Sequence, residues 1–299
     1  MACKFFEMLE KRWAAGARVC IGLDSDAEKV ANIDGRDWAG DAEDVLAFNK
    51  EIIDATHDIA LAYKPNAAFY TSYFWCAVLT ETLYYLKKVA PEVPVILDAK
   101  RADIGNTNRG YVDEAFHSGC GGIFDAVTVN PYFGMEAMKP FLEQKDKGII
   151  VLCRTSNKGA GEFQDLEVSL NPEPPGGFLT TKLYKLVAEN VATKWNYNGN
   201  CALVVGATYP EELAQVRGIV GDMWLLVPGV GTQGGDAKKV VKNGLNKRGS
   251  GIIVNSSSGI IFASSGPDFA QAARMQALWL TEAINAALPK PGSLVDKIV

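Results

Sequence analysis

The stretch VPVILDAKRADIGNT, residues 93–107, combines an apolar run, a cluster of charges and a Gly-Asn break before a helical pattern. Its first part, residues 93–97, is typical of a buried strand, and the Gly-Asn pair ends that strand before a new helix. Residues two apart on a strand share a face, so we expect Asp98 and Lys100 to point the same way. The stretch therefore predicts one strand–loop–helix unit whose strand ends in paired charges.

Paired charges at a strand's carboxyl end have two interpretations. Such ends carry catalytic groups in barrels and open α/β enzymes, because the loops that follow them form a pocket. A buried carboxylate and a buried ammonium are each costly alone, so they persist together or with a ligand. The alternative is a structural salt bridge, since ion-pair networks also shift pKa values without chemistry. The residues alone leave both interpretations open.

Similar apolar runs recur along the whole chain, with helical patterns between them. The predicted strands are 18–24, 60–66, 93–99, 125–131, 148–154, 201–207, 223–229 and 251–257. The clearest predicted helices are 3–15, 41–57, 71–89, 107–118, 179–194 and 267–286. Continuous apolar strands are typical of a parallel sheet that is covered on both faces.

Eight strands is the number that a closed β/α barrel requires. A doubly wound open sheet would give a similar alternation, but polar residues at nearly every strand's carboxyl end favour a single barrel mouth. We therefore predict an α/β fold, a (β/α)8 TIM barrel that forms one domain over residues 1–299. Residues 1–17 would hold an amino-terminal helix and residues 289–299 a tail. The Gly- and Pro-rich segment 154–177 would open on the mouth as a functional lid or a disordered loop.

Composition narrows the class of ligand. Thirty basic and 35 acidic residues give a net charge of −5, without a basic block typical of nucleic-acid binding, so a small-molecule substrate is favoured. No apolar window is long enough to span a bilayer, so we expect no membrane insertion and a cytoplasmic location. Six cysteines without a C-x-x-C pair predict reduced thiols, and only two histidines argue against a histidine metal centre.

Other strand ends add charged and polar groups to the same mouth. The first predicted strand ends in Asp24, with Asp26 just beyond it, and the second ends in Lys64 and Asn66, which share a face. Lysines and carboxylates that converge in this way can form an alternating network. Such a network holds an ammonium protonated beside carboxylates, ready to act as a general acid.

The loops after the last two strands are rich in glycine and serine. The loop PGVGTQGG, residues 228–235, contains G-x-G-x-x-G, but the position about 20 residues on is Val254, where a dinucleotide site needs an acidic residue. Loops after strands seven and eight of β/α barrels often bind phosphate through backbone N–H groups, and the last strand runs into NSSSG, residues 255–259. We interpret both loops as a phosphate cradle; tight turns without a ligand are the alternative.

These motifs resemble those of the orotidine 5′-monophosphate decarboxylase family, in the longer form found in some bacteria and protozoa. The segment LDAKRADIGNT, residues 97–107, fits the D-x-K-x-x-D signature, and the resemblance extends from about residue 18 to 286. It implies a TIM barrel that converts orotidine 5′-monophosphate to uridine 5′-monophosphate in de novo pyrimidine biosynthesis. The reaction in this family uses no cofactor and no metal.

The resemblance also assigns roles to residues of the mouth. Asp98 would lie against the substrate carboxylate, and Lys100 would protonate C6 as carbon dioxide leaves. Lys64 would flank them and contact the ribose. Asp24 and Asn66 would bind the ribose or its surroundings.

The same resemblance implies a homodimer with shared active sites. Asp103, Ile104 and Thr107 would reach across the interface into the partner's site. Within one subunit, Thr155 or Ser156 would contact the pyrimidine ring.

At the phosphate end the chain departs from the family pattern. Pro228 and Gln233 would line the closing loop, with Gln233 near the phosphate. The family usually has an arginine after the paired serines, whereas this chain has Ser258, followed by Gly259. A lost charged hydrogen bond is worth about 1.5 to 3 kcal/mol, so we expect nucleotide binding that is weaker by roughly ten- to a hundredfold.

Two other functions fit parts of the same pattern. A metal-dependent sugar-phosphate decarboxylase or aldolase shares D-x-K-x-x-D, but such relatives use an acidic residue for magnesium where this chain has Lys64 and Asn66. An inactive nucleotide-binding paralogue would explain Ser258 as a mark of lost function. Activity that survives EDTA, and turnover of the nucleotide itself, separate these functions.

Overall fold

A computed structural model describes residues 3–71, 73–117, 124–169, 180–231 and 235–289. Its strands are β1 (Val19–Leu23), β2 (Ala60–Pro65), β3 (Ile96–Arg101), β4 (Ala126–Val129), β5 (Gly148–Arg154), β6 (Glu167–Ser169), β7 (Thr180–Lys182), β8 (Cys201–Val205), β9 (Leu225–Pro228) and β10 (Ile252–Ser256). Eight of them form a parallel sheet in the order β2-β1-β10-β9-β8-β5-β4-β3. Parallel bridges from Tyr63 to Val95 and from Asn66 to Asp98 join β2 to β3 and close the barrel. The predicted (β/α)8 barrel is confirmed.

Helices follow the strands and cover the outside of the barrel. They are α1 (Lys4–Ala14), α2 (Ala27–Ala31), α3 (Ala42–Thr56), α4 (Tyr73–Val89), α5 (Gly105–Phe116), α6 (Gly134–Leu142), α7 (Gly161–Gln164), α8 (Leu183–Asn190), α9 (Pro210–Val220), α10 (Ala237–Gly244), α11 (Ser258–Ile261) and α12 (Phe269–Ala287). The long helices bury one apolar face each on the sheet, as the helical periodicity predicts. Helix α8 starts later than the predicted 179–194, because β7 occupies the first part of that range.

Helix α1 covers the amino-terminal end of the barrel. Phe5 is fully buried against Gly148, the first residue of β5, where any Cβ would overlap the Phe5 ring. Arg12 donates hydrogen bonds to the carbonyl oxygens of Ala60 at 2.9 Å and His57 at 3.0 Å, at the start of β2. With this end closed by α1, the carboxyl ends of the strands form the open end of the barrel.

The segment after β5 is partly regular, in agreement with the expectation that 154–177 is not regular throughout. It contains α7 and β6, and β6 pairs with β7 as an antiparallel ribbon. Residues 170–179 of the predicted lid lie outside the described residues. None of the helices in the described part of the chain combines the length and apolarity needed to cross a bilayer.

The cysteines follow the prediction only in part. Cys3, Cys20, Cys153 and Cys201 are free and buried, and burial raises the pKa of Cys153 and Cys201 to about 12, so these thiols are unreactive. The expectation of reduced thiols is wrong for Cys76, which is disulfide-bonded. Spacing along the chain does not reveal which thiols the fold brings together.

Candidate active site

A cavity of about 590 Å³ opens at the carboxyl end of the barrel. Most of the predicted site residues line it: Asp24, Lys64, Asn66, Asp98, Lys100, Thr155, Ser156, Pro228 and Ser258. Gly259 instead lines a small neighbouring cavity behind the loop after β9. Gln233 lies outside the described residues. The eight strand ends therefore bring together side chains that are up to 234 positions apart in the sequence, from Asp24 to Ser258.

Asp98 is the centre of a charge cluster at the bottom of this cavity. Its Oδ2 lies 2.7 Å from Lys64 Nζ, and its Oδ1 lies 2.6 Å from Lys100 Nζ. Thr128 Oγ1, on β4, donates a further hydrogen bond of 2.9 Å to Asp98 Oδ1. One carboxylate thus holds two ammonium groups, one on each oxygen.

The two lysines differ in burial, which corrects the expectation of a buried Asp98–Lys100 pair. The Lys64 side chain is 3% exposed, whereas the Lys100 side chain is 47% exposed. Burial alone would lower the pKa of Lys64, but the carboxylates of Asp98 and Asp24 outweigh it and raise the pKa above its ordinary value. Burial would likewise raise the pKa of Asp98, yet Lys64 and Lys100 hold it well below its usual range. Asp98 is therefore ionised and Lys64 protonated at neutral pH.

Asp24 presents an acceptor without a partner. Its Oδ1 is buried, lies 4.0 Å from Lys64 Nζ and accepts no hydrogen bond from the described residues. A buried carboxylate oxygen without a hydrogen bond is costly, so such an atom usually has a functional explanation. Because Asp24 lines the cavity, a hydroxyl group of a ligand could donate to this oxygen.

The backbone at Lys100 is strained. The ladder between β3 and β4 is interrupted between Leu97 and Arg101, and Lys100 has φ of 51°. Among the residues that the structure describes, it is the one non-glycine residue with positive φ. Thr128 Oγ1 stabilises this conformation by accepting a hydrogen bond of 2.9 Å from Lys100 N. The prediction that Asp98 and Lys100 meet is right, but a bulge brings them together instead of regular strand alternation.

A buried arginine holds together the segment after β5, which forms one wall of the cavity. Arg154 is 2% exposed, and its Nε and Nη2 donate to the two oxygens of Asp165 at 3.0 and 2.9 Å. Its guanidinium also lies 3.9 Å from the centre of the Tyr209 ring. Gln164 Oε1 accepts a hydrogen bond of 2.8 Å from Thr155 N. These contacts give Thr155, a predicted contact of the pyrimidine ring, a defined position.

The opposite wall consists of the loops after β9 and β10. Gly229 and Gly231 have φ of 94° and 87°, a backbone conformation that residues other than glycine rarely adopt. Gly22 of β1 allows Ser257 to pack directly against the barrel, since a Cβ at Gly22 would overlap Ser257 Oγ. This side of the cavity is lined by backbone of the loop after β9 and by the serines that follow β10.

Asp103, Ile104 and Thr107 lie away from this cavity, around the start of α5. Asp103 Oδ1 accepts a hydrogen bond of 2.6 Å from Ile104 N, and Asp103 O accepts one of 2.7 Å from Asn108 Nδ2. The Ile104 side chain is 61% exposed, and Thr107 is exposed as well. None of the three residues lines the cavity of the same chain.

The two histidines do not line the cavity. His117 is exposed and pairs with Asp113 at 3.3 Å. In the described ranges, no three His, Cys, Asp or Glu side chains come together in a group that could hold a metal ion.

Sequence reasoning missed three groups that shape the site. Thr128 carries a hydroxyl group within the apolar run AVTV, residues 126–129. A polar residue inside a predicted buried strand can indicate a functional position. Arg154 and Gln164 give no signal, because their partners are set by the path of the chain after β5.

The barrel and its cluster of lysines and carboxylates define a β/α-barrel enzyme with a charged site at the strand ends. The sequence profile of the orotidine 5′-phosphate decarboxylase / HUMPS family matches residues 17–274, and the chain belongs to this family.

Relatives with known names agree with this assignment. The chain is 47% identical over 284 residues to the orotidine 5′-phosphate decarboxylase of Cellvibrio japonicus (strain Ueda107). The alignment covers 95% of this chain and 98% of that protein. The structure of Leishmania donovani OMP decarboxylase superposes with a TM-score of 0.78 at 36% identity, over 95% of this chain and 98% of that one. Leishmania donovani UMP synthase gives a TM-score of 0.80 at 37% identity and covers 96% of this chain, which spans 57% of that protein.

Proposed function

We propose that this protein decarboxylates orotidine 5′-monophosphate to uridine 5′-monophosphate in de novo pyrimidine biosynthesis, without a cofactor. The observation that carries the proposal is the Lys64–Asp98–Lys100 cluster at the bottom of the cavity, in a chain of this family. The cavity volume of about 590 Å³ is in the range of small-molecule sites. The cytoplasmic location expected from the sequence stays a prediction.

The chemistry follows from the charges. The bond between C6 and the carboxylate breaks, its electron pair stays on C6, and carbon dioxide leaves. Lys100 donates a proton from its ammonium to C6 and becomes a neutral amine. A positive charge beside the developing carbanion lowers the barrier to breaking the bond. The position of Lys100 supports this role, because its half-exposed ammonium lines the cavity beside Asp98.

Asp98 and its neighbours position the rest of the nucleotide. Ionised Asp98 would lie against the substrate carboxylate, and repulsion between the two charges would favour departure of carbon dioxide. The unpartnered Oδ1 of Asp24 supports a hydrogen bond from a ribose hydroxyl, with Lys64 and Asn66 beside it. Thr155 or Ser156 would bind the pyrimidine ring.

The phosphate would occupy the end of the cavity formed by the loops after β9 and β10. Pro228 and Ser258 line this end, and Gly259 follows Ser258 in α11. Phosphate binding far from C6 provides binding energy that closes loops over the ring. The role of Gln233 in that closure stays a prediction.

We further propose a homodimer in which Asp103, Ile104 and Thr107 complete the partner's site. Their position outside the cavity of the same chain supports this arrangement, as do large apolar side chains exposed after the neighbouring strands β3 and β4: Ile104 (61% exposed), Tyr132 (89%) and Phe133 (50%). Large exposed apolar side chains of this kind are typical of interfaces.

Subunit complementation tests the shared site. Lys100→Ala and Asp103→Ala homodimers would each lack one group in both sites. A heterodimer formed from the two would contain one intact site, so mixing and reassociation should restore activity. If mixing restores none while heterodimers form, the sites are not shared.

The proposed reaction is tested by adding purified protein to orotidine 5′-monophosphate in EDTA and measuring uridine 5′-monophosphate and carbon dioxide. We expect equal amounts of the two products. Loss of activity in EDTA with recovery in magnesium would favour the metal-dependent sugar-phosphate enzymes of similar fold. Nucleotide binding without turnover would identify an inactive paralogue.

A further inference from the structure

The cations that line the cavity differ in whether they form an ion pair with a carboxylate. Among the described residues they are Lys29, Lys64 and Lys100. Lys64 and Lys100 are both held by Asp98, whereas Lys29 forms no ion pair with a carboxylate of the described chain. Lys29 is thus the cavity cation whose charge is available to an anion.

The position of Lys29 places it beside the serine loop. It lies on α2, where Asp26 Oδ1 accepts hydrogen bonds from the backbone N–H groups of Glu28 at 3.0 Å and Lys29 at 3.3 Å. Lys29 Nζ lies 5.2 Å from the centre of the Phe262 ring, and Phe262 directly follows α11, which begins at Ser258. The strands that precede the two loops, β1 and β10, are neighbours in the barrel.

A phosphate group needs such a cation here. A phosphate dianion taken into a cavity loses its hydration, and charge-assisted hydrogen bonds to a lysine or arginine compensate that loss. The described residues of the phosphate end supply backbone groups and the hydroxyls of Ser256, Ser257 and Ser258, without an arginine. Stacking on an aromatic ring holds an ammonium in place at a modest gain, while leaving its hydrogens free to donate.

On the basis of the proposed function, we propose that Lys29 is the cation that binds the 5′-phosphate of the nucleotide. Lys29 supplies the positive charge for the phosphate at this end of the cavity. Ser258 cannot supply it, because a hydroxyl group carries no charge. Lys29 then determines the preference for nucleotides over nucleosides, and has no part in the bond-breaking step.

The test compares Lys29→Met with the wild type for two ligands, uridine 5′-monophosphate and uridine. Titration calorimetry, with displacement for the weaker ligand, measures both dissociation constants. We expect Lys29→Met to weaken uridine 5′-monophosphate binding by about 10- to 100-fold, the effect of one charged hydrogen bond, and to leave uridine binding unchanged. KM for the nucleotide substrate should rise by a similar factor while kcat changes little.

Lys50→Met is the matched control. Lys50 also stacks on an aromatic ring, with Nζ 5.5 Å from the centre of Tyr85, but it lies on α3 outside the cavity. It should leave both dissociation constants unchanged. The double variant Lys29→Met, Ser258→Arg should regain nucleotide affinity, since it returns a cation to the same end.

The possible results separate this proposal from the proposed function. Unchanged nucleotide affinity in Lys29→Met, or an equal loss for uridine, overturns the role of Lys29 while wild-type turnover stands. A wild type that binds no uridine 5′-monophosphate overturns both.

Discussion

The Lys64 ammonium lies 2.7 Å from the Asp98 carboxylate, and both groups are enclosed at the bottom of the barrel cavity. Lys100 contacts the other oxygen of the same carboxylate, but its side chain is half exposed. Removing one partner of a buried ion pair leaves an uncompensated charge, whereas an exposed pair contributes little. Lys64 therefore stabilises Asp98, and Lys100 is the lysine that is free to react.

This difference predicts unequal effects on stability. We expect Lys64→Met to lower the free energy of unfolding by about 3 kcal/mol, because Asp98 and Asp24 lose their buried partner. Lys100→Met should cost less than about 1 kcal/mol. Urea unfolding of the two variants measures the difference, and equal losses would contradict the assigned roles.

The lowered pKa of Asp98 predicts a loss of stability in acid. A carboxyl group with a depressed pKa in the folded state stabilises the protein above its unfolded pKa, and this contribution is lost as pH falls through the folded pKa. We expect the free energy of unfolding to fall below about pH 4, and to fall less steeply in Asp98→Asn. Parallel acid slopes in wild type and variant would show that other carboxylates dominate.

Ser258→Arg should improve capture of the substrate. An arginine at this position adds a bidentate, charge-assisted contact to the phosphate end, so we expect KM to fall by about 10- to 100-fold. The value of kcat should change little, because the Asp98–Lys100 pair is untouched. Steady-state kinetics with the nucleotide substrate measures both constants. An unchanged KM would mean that other groups already hold the phosphate fully.

Gly206 follows β8 and allows the chain after β5 to approach closely. A Cβ at Gly206 would lie 2.7 Å from Ser156 Cα and 2.8 Å from Ser156 N. We expect Gly206→Ala to displace Ser156 and raise KM at least several-fold, as judged by steady-state kinetics. Gly218→Ala is the control, because a Cβ there meets nothing within 4 Å and alanine favours helix α9. Equal kinetics in the two variants would argue against a substrate contact at Ser156.

The sequence alone predicts the barrel because its strands are continuous apolar runs. Strand β5 has the predicted bounds, 148–154, but β3 extends to Arg101 beyond the predicted 93–99. The bulge at Lys100 explains the difference. It depends on pairing with β4 and on the hydrogen bond to Thr128, and neither is encoded in local periodicity.

The relative burial of the two lysines was equally hard to predict. Lys64 and Lys100 both stand near a strand end after an apolar run, so their local patterns are alike. Only the closed barrel buries Lys64 and leaves Lys100 half exposed. In the same way, the contact of Arg154 with Asp165 depends on how the loop after β5 folds back.

Lys100→Ala tests the central claim most directly, with wild type and variant compared for conversion of orotidine 5′-monophosphate in EDTA. The account predicts that the variant forms no measurable uridine 5′-monophosphate, while its circular dichroism and unfolding midpoint stay close to those of the wild type. Substantial turnover by a folded Lys100→Ala protein would contradict the assignment of Lys100 as the proton donor.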